Sequence, residues 1–278
     1  MVLIDWTKYD PGKTVAFLGN TGITEMNWNG VPCTLETLYL HKNNIKKMNW
    51  IGAPSSLRQV YLSYNSIREM NWFGAPELLR TVCLGSNMIT NIVWDHAPAL
   101  ENVILNHNEI REMNWCGAPK SLLCVHLQVN EITEMNWEEM DNLDEVNLMG
   151  NGITEMNWVD APKSLLHVNL SYNWINDMNW QDSPDSLQNV CLRGNQIEDS
   201  YWKDVPESLQ CVDPYTSEYN EYKSACRIQR AYLRHYKRRK KAAIKITRAC
   251  HNWVWSPRCK DGIIGIRPRL DMDHLGIS

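Results

Sequence analysis

Residues 57 to 78 read Leu-Arg-Gln-Val-Tyr-Leu-Ser-Tyr-Asn-Ser-Ile-Arg-Glu-Met-Asn-Trp-Phe-Gly-Ala-Pro-Glu-Leu, and their skeleton LxxVxLxxNxIxxMNWxGAPxx recurs through three quarters of the chain. Its asparagine falls at Asn43, Asn65, Asn87, Asn108, Asn130, Asn151, Asn173 and Asn195, in steps of 21 or 22 residues, with Thr21 taking the place in the first unit. A second series keeps the same steps: Trp6, Trp28, Trp50, Trp72, Trp94, Trp115, Trp137, Trp158, Trp180 and Trp202. Such a period marks stacked repeats. The Leu-x-Leu alternation is a strand signal, and one unit alone buries too little to be stable. Strands of successive units set side by side about 4.8 Å apart would make a parallel sheet on a concave face. The asparagines then align into a buried ladder that satisfies backbone groups in the turn after each strand.

The segment LxxLxLxxNxI, carried by Leu57, Val60, Leu62, Asn65 and Ile67 and again by Leu122, Val125, Leu127, Asn130 and Ile132, resembles the leucine-rich-repeat family over about residues 1 to 212. The expected fold is an α/β solenoid: an arc of about nine units, a parallel concave sheet, and a C-terminal basic helix. Gly-Ala-Pro at 52 to 54, 74 to 76 and 117 to 119 forbids helix on the convex side, so extended or short 3-10 pieces are expected there. Only Phe17 and Phe73 supply phenylalanine, so Trp and Met of the MNW element must fill the core. The array starts with the half-unit Ile4-Asp5-Trp6. It ends in a degenerate strand after Leu209, stopped at Pro214.

Nothing in the chain approaches the roughly 18 apolar residues of a membrane span, and Met1 to Trp6 lack the basic start of a secretory signal. Nine cysteines without a CxxC pair or metal-ligand rhythm read as reduced thiols of an intracellular protein. The nearest approach to a phosphate loop, Asp10-Pro11-Gly12-Lys13-Thr14, fails because Thr7 stands where the first glycine belongs. Neither a catalytic arrangement nor a cofactor is expected. The ten spaced tryptophans read as core.

Side chains alternate across a strand, so the residues flanking Val60 and Leu62 and their equivalents face outward. Candidate contacts on this concave face are Tyr39, Tyr61, Tyr64, His107, His126, His167 and Tyr172. Among its 32 positions in the eight complete repeats only Lys42, Glu145 and Arg193 are charged. That is a poor groove for nucleic acid and a good one for protein. The three histidines lie at unequal lateral offsets in different repeats, so they read as neutral contacts and not as metal ligands. An acidic edge recurs two residues after each repeat isoleucine: Glu25, Glu69, Glu112, Glu134, Glu155, Asp177 and Asp199.

The chain divides at residue 213. Residues 1 to 212 hold 13 Lys and Arg against 26 Asp and Glu, a balance of -13, and residues 213 to 278 hold 15 against 6, a balance of +9. After a linker at 213 to 222, a basic helix is expected over 223 to 252, with a capping segment around Trp253 and Trp255 over 253 to 278. Ile228, Gln229, Arg230, Arg234, Arg238 and Arg239 resemble part of the IQ motif that binds calmodulin-like EF-hand proteins. Leu233 and Arg234 depart from it, where the motif has a basic residue and then glycine. A basic amphipathic helix also suits acidic protein, nucleic acid or an anionic membrane surface. Together the MNW repeats, basic helix and Trp-rich end resemble leucine-rich-repeat proteins of large nucleocytoplasmic DNA viruses, the marseilleviruses in particular, which implies the cytoplasm or the virion. The expected function is a non-enzymatic protein-binding scaffold. The alternatives are a structural virion component, or EF-hand or nucleic-acid binding through the tail.

Overall fold

The computed structural model describes residues 4–138, 140–177, 179–197, 206–209 and 211–213. Ten three-residue strands form one parallel sheet in strict chain order: β1 (Val15–Phe17), β2 (Thr37–Tyr39), β3 (Gln59–Tyr61), β4 (Thr81–Cys83), β5 (Asn102–Ile104), β6 (Cys124–His126), β7 (Glu145–Asn147), β8 (His167–Asn169), β9 (Asn189–Cys191) and β10 (Cys211–Asp213). Each pairs with its predecessor at equivalent repeat positions, Val60 opposite Leu38 and Val82, so the apolar residue of every strand meets its counterpart. The last strand forms after Leu209, where the degenerate unit was expected.

Within a repeat, Leu57, Val60, Leu62, Ile67, Met70 and Trp72 are buried, and their equivalents fill one continuous core. A single unit would expose most of this surface; stacking removes it from water at roughly 25 cal/mol per Å².

The eight ladder asparagines stitch neighbouring repeats. Asn65 donates through Nδ2 to the carbonyls of Leu40 (3.0 Å) and Leu62 (2.8 Å), while the Ile45 N–H donates to its Oδ1 at 3.0 Å. The same three bonds recur at every ladder position from Asn43 to Asn195. Thr21 substitutes in part, its hydroxyl donating to the Leu18 carbonyl at 2.8 Å. A hydroxyl row lies before the strands, as the ladder lies after them. Ser56 donates to the Leu35 carbonyl at 2.7 Å, and Thr34, Ser121, Ser164, Ser186 and Ser208 make the equivalent bond.

The convex side, expected to be extended or in short 3-10 pieces, is non-helical and is built from turns. Its repeats carry paired reverse turns, Ala53 N–H to the Trp50 carbonyl at 2.8 Å and Leu57 N–H to the Pro54 carbonyl at 3.1 Å. Gly52 supplies the left-handed φ of 90° that the first turn needs, and each proline lets the chain turn without an unpaired donor. The one 3-10 turn among the described residues is Trp6–Lys8, in the half-unit that starts the array. The described residues are an all-β solenoid; the expected helix, and with it the α part of the α/β reading, lies outside them.

Curvature follows from two spacings. Rings on the sheet face repeat at 4.6–4.9 Å, whereas stacked tryptophans on the far wall repeat at 6.2–6.4 Å. The wider wall must lie outside, so the sheet lines the inside of an arc.

Candidate recognition surface

Two outward columns run along the sheet. The middle column begins with Phe17, Tyr39 and Tyr61, whose rings stack at 4.9 and 4.6 Å with interplanar angles of 9° and 8°. Parallel register makes this stack: Phe17 is opposite Tyr39, and Tyr39 opposite Tyr61. Phe17 is 69% exposed and leaves the stack open at the first strand. The column continues through Cys83 and Ile104, then turns polar at His126, Asn147 and Asn169 before Cys191.

Tyr64, His107 and Tyr172 occupy a rim set by backbone conformation. The residue before each ladder asparagine is left-handed, with φ of 59°, 55° and 56° at these three and 55° at Lys42 and Val129. This turn swings the asparagine inward and its own side chain out. Its N–H is held by the next repeat, as Tyr64 N–H is by the Gly85 carbonyl at 2.9 Å. Lys42 lies 6.0 Å from the Tyr64 ring centre and Arg193 lies 5.6 Å from that of Tyr172, so two of the three charged side chains of this face sit against rim tyrosines.

The second half of the face is a hydrogen-bonding surface. Asn189 Nδ2 lies 2.8 Å from His167 Nδ1, and Gln128 Nε2 lies 3.3 Å from His126 Nδ1. His167 pairs in register with Glu145, His126 with Asn147, and His107 stands on the rim, so the three histidines do not converge. No group of three metal-binding side chains occurs among the described residues.

The titration of this face runs away from reactivity. Burial pushes the Cys83 thiol up to about 11, and burial, then Glu145 and Asp144, raises Cys124. Tyr61 is raised by burial, then by Cys83 and Tyr39 beside it. These thiols are protonated near neutral pH, which makes them poor nucleophiles. Of the outward residues read from sequence, Cys83 departs from the pattern: it is buried within its column.

On the flank, Glu25, Glu69, Glu112, Glu134, Glu155 and Asp177 are exposed. Lys47 takes the equivalent place in the second unit and pairs with Glu69 at 3.4 Å. Asp199 lies outside the described residues, as do Ile228, Gln229, Arg230, Arg234, Arg238 and Arg239 and the capping tryptophans. The left-handed rim and the hydroxyl row were missed in the sequence. The first leaves no single residue type behind, although Gly150 and Gly194 hint at it; the second was visible as Ser or Thr two residues after the proline.

No family model matches the chain, and no curated protein matches it. Among solved structures, the chain is similar to the APL1 leucine-rich repeat domain, with TM-score 0.55 and 19% identity over 68% of this chain and 51% of that one. It is similar to the leucine-rich repeat domain of APL1B, with TM-score 0.55 and 20% identity over 72% of this chain and 68% of that one. A third similarity is to the TLR13–ssRNA13 complex, with TM-score 0.56 and 18% identity over 66% of this chain and 32% of that one. The chain therefore spans about half of the first of these structures and a third of the last. With a ten-stranded parallel sheet, an inward asparagine ladder and these neighbours, the chain has the leucine-rich-repeat fold.

Proposed function

We propose that the protein is a non-enzymatic scaffold that grips a protein partner on its concave face. The observation that carries this reading is the stack of Phe17, Tyr39 and Tyr61, open at Phe17 and followed by a polar half. Rigid aromatic surface costs little side-chain entropy to bury and is enriched where binding energy concentrates. The partner presents an apolar anchor to β1–β4 and hydrogen-bonding groups to β6–β9. The raised thiols argue against a nucleophile on this surface. The third neighbour above is an RNA complex, but two cations spread over the whole face, both against tyrosine rings, are too few to neutralise a phosphate backbone.

The test is to purify the stoichiometric partner of the intact protein and titrate it by calorimetry against single variants. Tyr61→Ala, Tyr64→Ala and Tyr172→Ala are expected to weaken binding at least tenfold, about 1.4 kcal/mol, while a convex control, Val159→Ala, leaves it unchanged. Equal affinity of all four would reject the concave face. Single-stranded RNA is expected not to bind near physiological salt.

A further inference from the structure

The flank after each ladder asparagine repeats one pattern of exposure. In the third unit Ile67, Met70 and Trp72 point inward, and Arg68, Glu69, Asn71 and Phe73 point out. Stacked, these outward positions make parallel rows, and the rows are not uniform along the arc. Over the early units an apolar saddle is exposed: Ile51 (63%), Phe73 (60%) and Val93 (38%). Then come four successive carboxylates, Glu112, Glu134, Glu155 and Asp177. After Arg111 the residues beside them are Thr133, Thr154 and Asn176, so this stretch carries no cation of its own in that position.

Beyond the described residues, Lys223 to Cys250 hold eleven Lys or Arg and no Asp or Glu. Eight of these cations, among them Arg230, Arg234 and Arg238, follow one another at steps of three or four residues from Lys223 to Arg248. That spacing is one face of an α-helix, with a cation about every 5.4 Å. The carboxylates recur once per repeat on the flank, between the 4.6–4.9 Å spacing of the sheet face and the 6.2–6.4 Å spacing of the tryptophans in the same units. The two rulers nearly match. Six such steps, at most about 38 Å, lead from Asp177 back to the unit of Ile51, and 28 helical residues would extend about 42 Å. Laid from Asp177 toward β1, the cations meet the carboxylates first, and Ile244 and Ile246 follow in the direction of the saddle.

We propose that this flank is the docking surface for the chain's own segment Lys223–Cys250, held by the carboxylate row and the apolar saddle. Charge complementarity selects the occupant, since the solenoid carries -13 and the remainder +9. Length permits it. The last described strand ends at Asp213, and the nine residues between it and Lys223 reach at most about 30 Å. Each exposed ion pair is weak, but several on a rigid row act together and fade as salt screens them.

The test is zero-length carbodiimide crosslinking of the intact protein, mixed equally from ¹⁴N and ¹⁵N preparations and read by mass spectrometry. At about 50 mM salt, links are expected from Lys223 to Asp177 and Glu155 and from Lys237 and Lys240 to Glu112, within one isotope, and are expected to fall away near 500 mM. Links that spread evenly to Glu36, Glu77 or Glu207, or no links, would overturn the proposal. Links between isotopes would overturn it in favour of docking onto a second copy. An independent readout is the rate of tryptic cleavage between Arg230 and Arg248. The triple variant Glu112→Gln, Glu134→Gln, Glu155→Gln is expected to be cut roughly tenfold faster with an unchanged melting temperature, because cleavage tracks the open population. Equal rates would also overturn it.

Discussion

At the residue scale, the ladder asparagine binds three backbone groups from two repeats, so its loss strands more than one partner. Asn130 donates to the carbonyls of Leu105 (3.0 Å) and Leu127 (2.9 Å), and its Oδ1 accepts from Ile110 N–H at 3.1 Å. Asn130→Ala is expected to cost about 3 kcal/mol, since each buried group left unpaired typically costs 1–3 kcal/mol. Asn102→Ala, on the outward side of β5, is expected to cost under about 1 kcal/mol. Denaturant melts of the two variants check this, and equal midpoints would remove the ladder from the account. The asparagine was legible because a buried amide tolerates no substitute at that position except Thr21, whose hydroxyl reaches the same carbonyl. Its bonding partners were legible only as a class. Cys83 shares the outward register of Tyr61, as alternation implies, but is buried, because alternation along a strand assigns a direction and not an exposure.

At the scale of the element, each strand is three residues long, and the turns on either side of it impose the register. The left-handed residue before the ladder asparagine is the costly part. Glycine and asparagine accept that conformation, but Val129, β-branched, sits there with φ of 55° and its Cγ2 near Gly150. Val129→Asn is expected to raise stability by about 1 kcal/mol, because asparagine enters this region with less strain. A fall in melting temperature would show that the packing of Val129 outweighs its backbone strain. Sequence reading gave the Gly-Ala-Pro segment its break from helix and left extended and short 3-10 pieces open there. Proline fixes φ without choosing between a 3-10 turn and a reverse turn, and the glycine's left-handed φ decides for the latter.

At the scale of the whole molecule, contacts run between neighbouring repeats, so stability is a sum of units and interfaces. Deleting residues 57 to 78 joins Ser56 to Leu79 in register and is expected to leave a cooperatively melting protein with a lower melting temperature. Deleting residues 57 to 67 puts Arg68 where Leu57 belongs and is expected to abolish the transition. Thermal melts followed by circular dichroism compare the two, and comparable loss from both would mean the array folds as one indivisible body. The period made this architecture legible, but the radius of the arc was not, because curvature comes from the difference between two pitches and both depend on side-chain packing. The wider pitch has a consequence for light. Trp115, Trp137, Trp158 and Trp180 lie face to face at 6.2–6.4 Å with planes within 11° of parallel. Transition dipoles held that close and that nearly aligned couple, so an excitation absorbed by one indole is shared among its neighbours before it is emitted. The intact arc should therefore keep its fluorescence polarised through these transfers, and a quencher placed at any one of these units should dim its neighbours as well.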